Sequence, residues 1–158
     1  MARVSYRSRN LQPRPEFEQD LGQIGIQATA HSEASFSGFD MVILATNTDT
    51  VLLDGAKLAT LDQGSVVVSL RTTSMVGEIA QEVYGRDDVH CILDHDLSRR
   101  FTPDMRRADD AGTLSKAVLL TDILNTGSTV SLPADKVTIV RMTGTPMQNL
   151  ALLDLYRD

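Results

Sequence analysis

The chain has 158 residues, 42% of them hydrophobic, 23% charged and only 4% aromatic, with a formal net charge of -6. That is enough for one domain whose core is built from Leu, Val, Ile and Met. The negative balance argues against broad binding to nucleic acid or anionic membranes, no apolar run is long enough to span a bilayer, and the N-terminus carries no apolar signal region. The single cysteine, Cys91, excludes an internal disulfide and fits a reducing compartment. The expectation is a cytoplasmic globular domain with no membrane and no nucleic-acid partner.

Val4 to Ser8 reads as a strand that ends in the basic tip Arg7-Ser8-Arg9. Pro13 and Pro15 open a helix, where a missing N–H costs little. Phe17, Leu21 and Ile24 line one face of it, and Gly25 ends it. A short strand covers Ile26 to Ala30. Asp40 to Thr46 is an almost continuous apolar strand, the pattern of one covered on both faces. Val66 to Leu70 is another strand. Met75, Ile79 and Val83 predict a helix, with Ser74 as N-cap and Gly85 as its stop. Val89 to Leu93 is a third buried strand. Leu97 to Ala108 reads as a polar, basic surface helix, Leu114 to Leu124 as a broad apolar helix, Val137 to Met142 as the last strand, and Pro146 to Tyr156 as the last helix. This alternation predicts an α/β fold with a mostly parallel, doubly wound sheet, as one domain over 1–158. The last helix carries Met147, Leu150, Ala151, Leu152, Leu153 and Leu155, a stripe wider than one packed face requires. It is a core helix, or it docks on a second chain or domain.

Several strand ends carry polar residues. In a dinucleotide fold, an arginine at the tip of the second strand accommodates a 2′-phosphate, which gives Arg7, Ser8 and Arg9 a candidate role beside a solvated strand end. Thr46 and Asn47 follow the most apolar strand, where such sheets bind ligands, or form an ordinary turn. The stretch Ser69 to Ser74, with Arg71, offers hydroxyls and amides to an anion, or is a capped loop. His90, Cys91, Asp94, His95 and Asp96 are metal-friendly types, but alternation on a strand puts Cys91 on the face opposite His90 and Asp94. No metal site is expected, and Cys91 reads as a small core residue. Neither G-x-G-x-x-G nor G-x-x-x-x-G-K-[ST] occurs anywhere.

The runs DMVILATNTD, GAKLATLDQGSVVVSLR and MTGTPMQNLALLDLY together resemble the C-terminal part of the ornithine cyclodeaminase/μ-crystallin family, nearest to the branch that makes 2,3-diaminopropionate. The resemblance implies an incomplete Rossmann-like sheet lacking its first strand and glycine-rich turn. It implies descent from NAD- or NADP-dependent dehydrogenase or cyclodeaminase chemistry on amino acids. It places Arg7, Ser8 and Arg9 by the adenosine ribose, Thr46, Asn47 and Arg71 by the cofactor, and Thr143 and Gly144 near the nicotinamide. The family aspartate that would assist the proton step is Thr72 here, and a hydroxyl of ordinary acidity is no base at neutral pH. The catalytic residues are therefore left unassigned.

The resemblance further implies a truncated chain, impaired or dependent on a partner. A homodimer or a partner chain would supply the absent strand or domain, with residues 144–158 docking on it. The strands near Val4 and Asp40 would pair directly or be exchanged within a dimer, in preference to the first two strands detaching to pair elsewhere. A non-catalytic regulatory homologue and a fragment of a longer enzyme are the alternatives.

Overall fold

The computed structural model describes residues 3–8, 10–32, 35–46, 48–70, 76–125 and 131–144. The chain divides into two compact units, Met1–Ala34 and Ser35–Asp158.

In the first unit, strand β1 (Arg3–Tyr6) is followed by helix α1 (Pro15–Gln23) and by β2 (Gln27–Ala30). β1 and β2 pair in parallel, Arg3 opposite Gln27 and Tyr6 opposite Ala30. Pro15 opens α1, and Glu16 and Glu18 lie in its first turn, where carboxylates favour the helix dipole. The Tyr6 hydroxyl donates to Glu18 Oε1 at 2.6 Å and accepts the Arg14 amide, and its ring meets Phe17 edge-on at 5.1 Å. Gly25, at φ +76°, releases the chain from the helix into β2.

The second unit holds a five-stranded parallel sheet in the order β3-β4-β7-β5-β6. Its strands are β3 (Met41–Leu44), β4 (Val66–Ser69), β5 (Val89–Leu93), β6 (Val118–Leu119) and β7 (Val137–Arg141). The last strand in sequence, β7, is inserted between β4 and β5, so both its edges are paired. The mostly parallel α/β class expected from the sequence is the class observed. The strands lie in two sheets, β1-β2 in the first unit and the five-stranded sheet in the second.

The core lies on one face of the larger sheet. Leu44, Val67, Val137, Ile139, Cys91 and Leu93 project from it among Leu53, Ile79, Val83, Met105 and Leu114, all buried. The other face is open at β3. Met41 is 54% exposed and Ile43 59%, so this strand is not covered on both faces as its composition predicts.

Three further expectations are corrected. The helix expected through Met75, Ile79 and Val83 is not formed over its described part. Residues 76–80 are irregular and lead into a single 3-10 turn, Gln81–Gly85. The backbone of that stretch is spent elsewhere. Glu78 O accepts from Leu52 N and Leu53 N, and Ala80 N donates to Leu53 O, making a parallel bridge between Leu53 and Ile79. Gly77 sits at φ +79°, outside helical geometry.

The basic stretch 97–108 is two helices, α3 (Ser98–Phe101) and α4 (Pro103–Asp110), and α4 is no mere surface helix because Met105 and Ala108 are buried. Thr102 is extended between them, as a residue before proline prefers. The broad helix expected from Leu114 to Leu124 is only Leu120–Asn125 (α5), because Val118 and Leu119 join β5 as an edge strand. A short helix unmarked in the sequence reading, α2 (Gly55–Leu58), starts at Asp54, whose carboxylate caps Lys57 N at 2.9 Å. The expected last helix lies outside the described residues.

Gly77 gives a direct test of this packing. A Cβ there would stand 2.5 Å from an Asp104 carboxylate oxygen, whereas a Cβ on Gly112, also at positive φ, meets nothing within 4 Å. Gly112→Ala should cost only the left-handed strain, about 1–2 kcal/mol. Gly77→Ala should cost clearly more in urea unfolding, because a buried carboxylate must move as well. Equal losses would mean that Asp104 gives way freely.

Candidate functional site

All five strands of the larger sheet run the same way, so their C-terminal ends share one edge, the edge at which α/β sheets bind ligands. Two buried carboxylates organise it.

The first is Glu78, fully buried. Its Oε1 accepts the Thr46 amide at 2.9 Å and the Thr46 hydroxyl at 2.7 Å, and its Oε2 accepts the Ser69 hydroxyl at 2.9 Å. Having donated to Glu78, Ser69 Oγ is left to accept, and it does so from the Arg141 guanidinium. Ser69 and Arg141 are register partners on β4 and β7, which places them side by side on the core face. Arg141 is only 1% exposed. Its second terminal nitrogen reaches Asp104 Oδ2 on α4 at 3.2 Å, an ion pair removed from water. A lone buried guanidinium would be prohibitively costly, so the loop at Glu78 and helix α4 are held to the sheet by the need to neutralise it. The Tyr84 hydroxyl is buried without a partner among the described residues, and burial pushes its phenol far up.

The second carboxylate is Asp94, just past β5. Its Oδ2 accepts the amides of Thr143 at 2.8 Å and Gly144 at 3.2 Å, and its Oδ1 accepts the His95 amide at 2.9 Å and the Ser98 hydroxyl. The Thr143 hydroxyl lies 2.8 Å from Ser98 Oγ but 3.2 Å and 3.3 Å from the carboxylate oxygens. The better geometry is a relay in which Thr143 donates to Ser98 and Ser98 donates to Asp94.

The sequence candidates fall out as follows. Thr46, Thr143 and Gly144 stand at the shared edge, where Glu78 and Asp94 accept from all three. Arg7 is exposed and Ser8 is half-buried in the first unit, where the Ser8 hydroxyl serves a turn, 2.8 Å from Gln12 O and 2.9 Å from Asn10 Oδ1. Arg9, Asn47, Arg71 and Thr72 lie outside the described residues. No cluster of three or more metal-ligating acids, histidines or cysteines occurs among the described residues. Burial lowers the His90 pKa and pushes the Cys91 thiol up to about 12. Glu78, Ser98, Asp104 and Arg141 were not singled out from the sequence. Only Arg141 carries a signal, a charged residue that closes the apolar run Val137-Thr-Ile-Val-Arg141.

No protein-family model and no curated protein sequence matches the chain. Solved structures do. A probable ornithine cyclodeaminase from Bordetella pertussis Tohama I superposes at a TM-score of 0.75 and 20% identity, over 96% of this chain and 49% of that one. The chain has the fold of half of that protein. A Delta(1)-pyrroline-2-carboxylate reductase from Thermococcus litoralis, solved with NADH and L-proline, matches at a TM-score of 0.77 and 14% identity, over 98% of this chain and 49% of that one. The chain thus spans about half the length of each. The fold read from the three sequence runs is the fold observed.

A nicotinamide dinucleotide needs free donors for its pyrophosphate. The described donors at this edge do not fit that need, because the Thr46, Thr143 and Gly144 amides are already bound to carboxylates. The sequence also has no glycine-rich turn.

Removing the guanidinium should show what the edge depends on. Arg141→Ala leaves Asp104 and Glu78 without their buried counter-charge. Chemical denaturation should register a loss of roughly 3–5 kcal/mol, and a loss below about 1 kcal/mol would mean that water reaches the pair.

Proposed function

We propose that this chain is the nucleotide-domain half of an ornithine cyclodeaminase/μ-crystallin-type protein of amino-acid metabolism, and that it works only in an assembly. In this reading a second copy or a partner chain brings the phosphate-binding turn and the substrate groups. The observation that carries it is the fold itself: nearly all of this chain superposes on half of two proteins, one of them solved with NADH and L-proline. The cofactor is NADP or NAD. NADP is favoured because Arg7 stands exposed just beyond β1, with Arg9 two residues on in sequence. The protein acts in the cytoplasm.

The open side of β3 supports the assembly. Met-Val-Ile-Leu is the composition of a strand paired on both edges and covered on both faces. In this sheet it is an edge strand with Met41 and Ile43 exposed, a surface on which an added strand or a second subunit would bury apolar area. A second reading, a non-catalytic homologue that dimerises with or regulates a relative, draws support from the donors already taken by Glu78 and Asp94 and from Thr72.

Native mass measurement and nucleotide titration test both readings. The purified chain should be larger than a monomer, and Ile43→Lys should shift it toward one. NADPH at millimolar concentration should raise the melting temperature of the assembly more than NADH does. A monomer that responds to neither nucleotide contradicts the proposal. An oligomer that responds to neither selects the non-catalytic reading.

A further inference from the structure

The sequence stretch around Asp94 stands out for its metal-friendly residues, yet the described partners of its carboxylate are amides and hydroxyls. Its carboxylate is 5% exposed and takes bonds from three chain segments: the His95 amide at the end of β5, Ser98 at the start of α3, and the turn that leaves β7. Two of those bonds, from the Thr143 and Gly144 amides, fall on the same oxygen. Charge-assisted bonds of this kind are about twice as strong as neutral ones. Gly144 is at φ +70°, so the chain reverses its local hand where the carboxylate grips it.

We infer that Asp94 is a positioning residue, a latch that fixes the direction in which the chain leaves the central strand β7. Three features of the geometry point to this. The latched turn is the link between a fully paired strand and residues 145–158, whose apolar stripe the sequence leaves as a core helix or a docking helix. Among the described residues the polar groups of Thr143 go to the latch, its amide to Asp94 and its hydroxyl to the Ser98–Asp94 pair. Ser98 couples the same carboxylate to α3, and α3 carries the exposed Leu97 and Phe101 at its two ends. A loss of the latch would free the turn without opening the core, because the sheet register of β5 and β7 is set by Val89 to Leu93 against Val137 to Arg141. The consequence for assembly rests on the partner reading given above; the latch itself rests on the geometry alone.

Amide hydrogen exchange on the full-length chain separates the two. In Asp94→Ala the Thr143 and Gly144 amides should exchange faster by about tenfold or more, while the amides of Cys91 and Ile139 keep their wild-type protection. Asp94→Asn, which keeps one acceptor oxygen without the charge, should fall between, and it carries the test if the alanine variant does not fold. Unchanged exchange at the two turn amides overturns the latch. So does an equal rise at Cys91 and Ile139, which would make Asp94 a general support of the fold. Native mass is read on the same samples. If the latch is confirmed by exchange and the wild-type protein is monomeric, the partner reading fails and the latch stands.

Discussion

A guanidinium that water cannot reach must be met by protein charge. Arg141 closes the central strand of the sheet at 1% exposure, and Ser69, Glu78 and Asp104 are arranged around it. Asp104 meets it directly from α4, and Glu78 meets it through Ser69. The demand reaches into the backbone. Glu78 is held in place because its carbonyl and its neighbours bridge to Leu52 and Leu53. Gly77 has to be glycine because a Cβ would strike Asp104. A helix through this stretch would satisfy its apolar spacing but would leave the arginine without its second counter-charge.

The same economy shapes what the edge can do. Doubly wound sheets bind ligands at the C-terminal ends of their strands because amides there are free. In the second unit those amides are engaged: Thr46 by Glu78, Thr143 and Gly144 by Asp94. The Rossmann-like fold is present, and its described donors at this edge are turned inward. The proposal that the chain works within an assembly joins this to the half-length match with two larger proteins and to the open apolar side of β3.

Period-two and continuous apolar patterns made the larger strands legible, and the strands at Val66 and Val89 begin where the sequence put them. What local pattern could not supply was partnership. Met75, Ile79 and Val83 have helical spacing, but a parallel bridge to Leu53 outcompetes a helix there. Val118 and Leu119 looked like part of a helix until β5 offered an edge. The strand at Met41 has the composition of a covered strand, and its exposure depends on what else is in the sheet. At this edge, Thr46 is marked by its place after a strand, and Thr143 and Gly144 by the family resemblance alone. The residues that hold them were missed, because Glu78, Asp104 and Arg141 are far apart in sequence and look like surface charges until the fold buries them together.

The central claim is that Arg141 and Asp104 are one buried unit, and a double-mutant cycle measures it most directly. Arg141→Met, Asp104→Asn and the double variant are unfolded in urea beside the wild type. The account predicts that the double variant loses less stability than the sum of the single losses, by about 1–3 kcal/mol. Losses that add to within about 0.5 kcal/mol would contradict it, and would mean that the two charges are solvated separately.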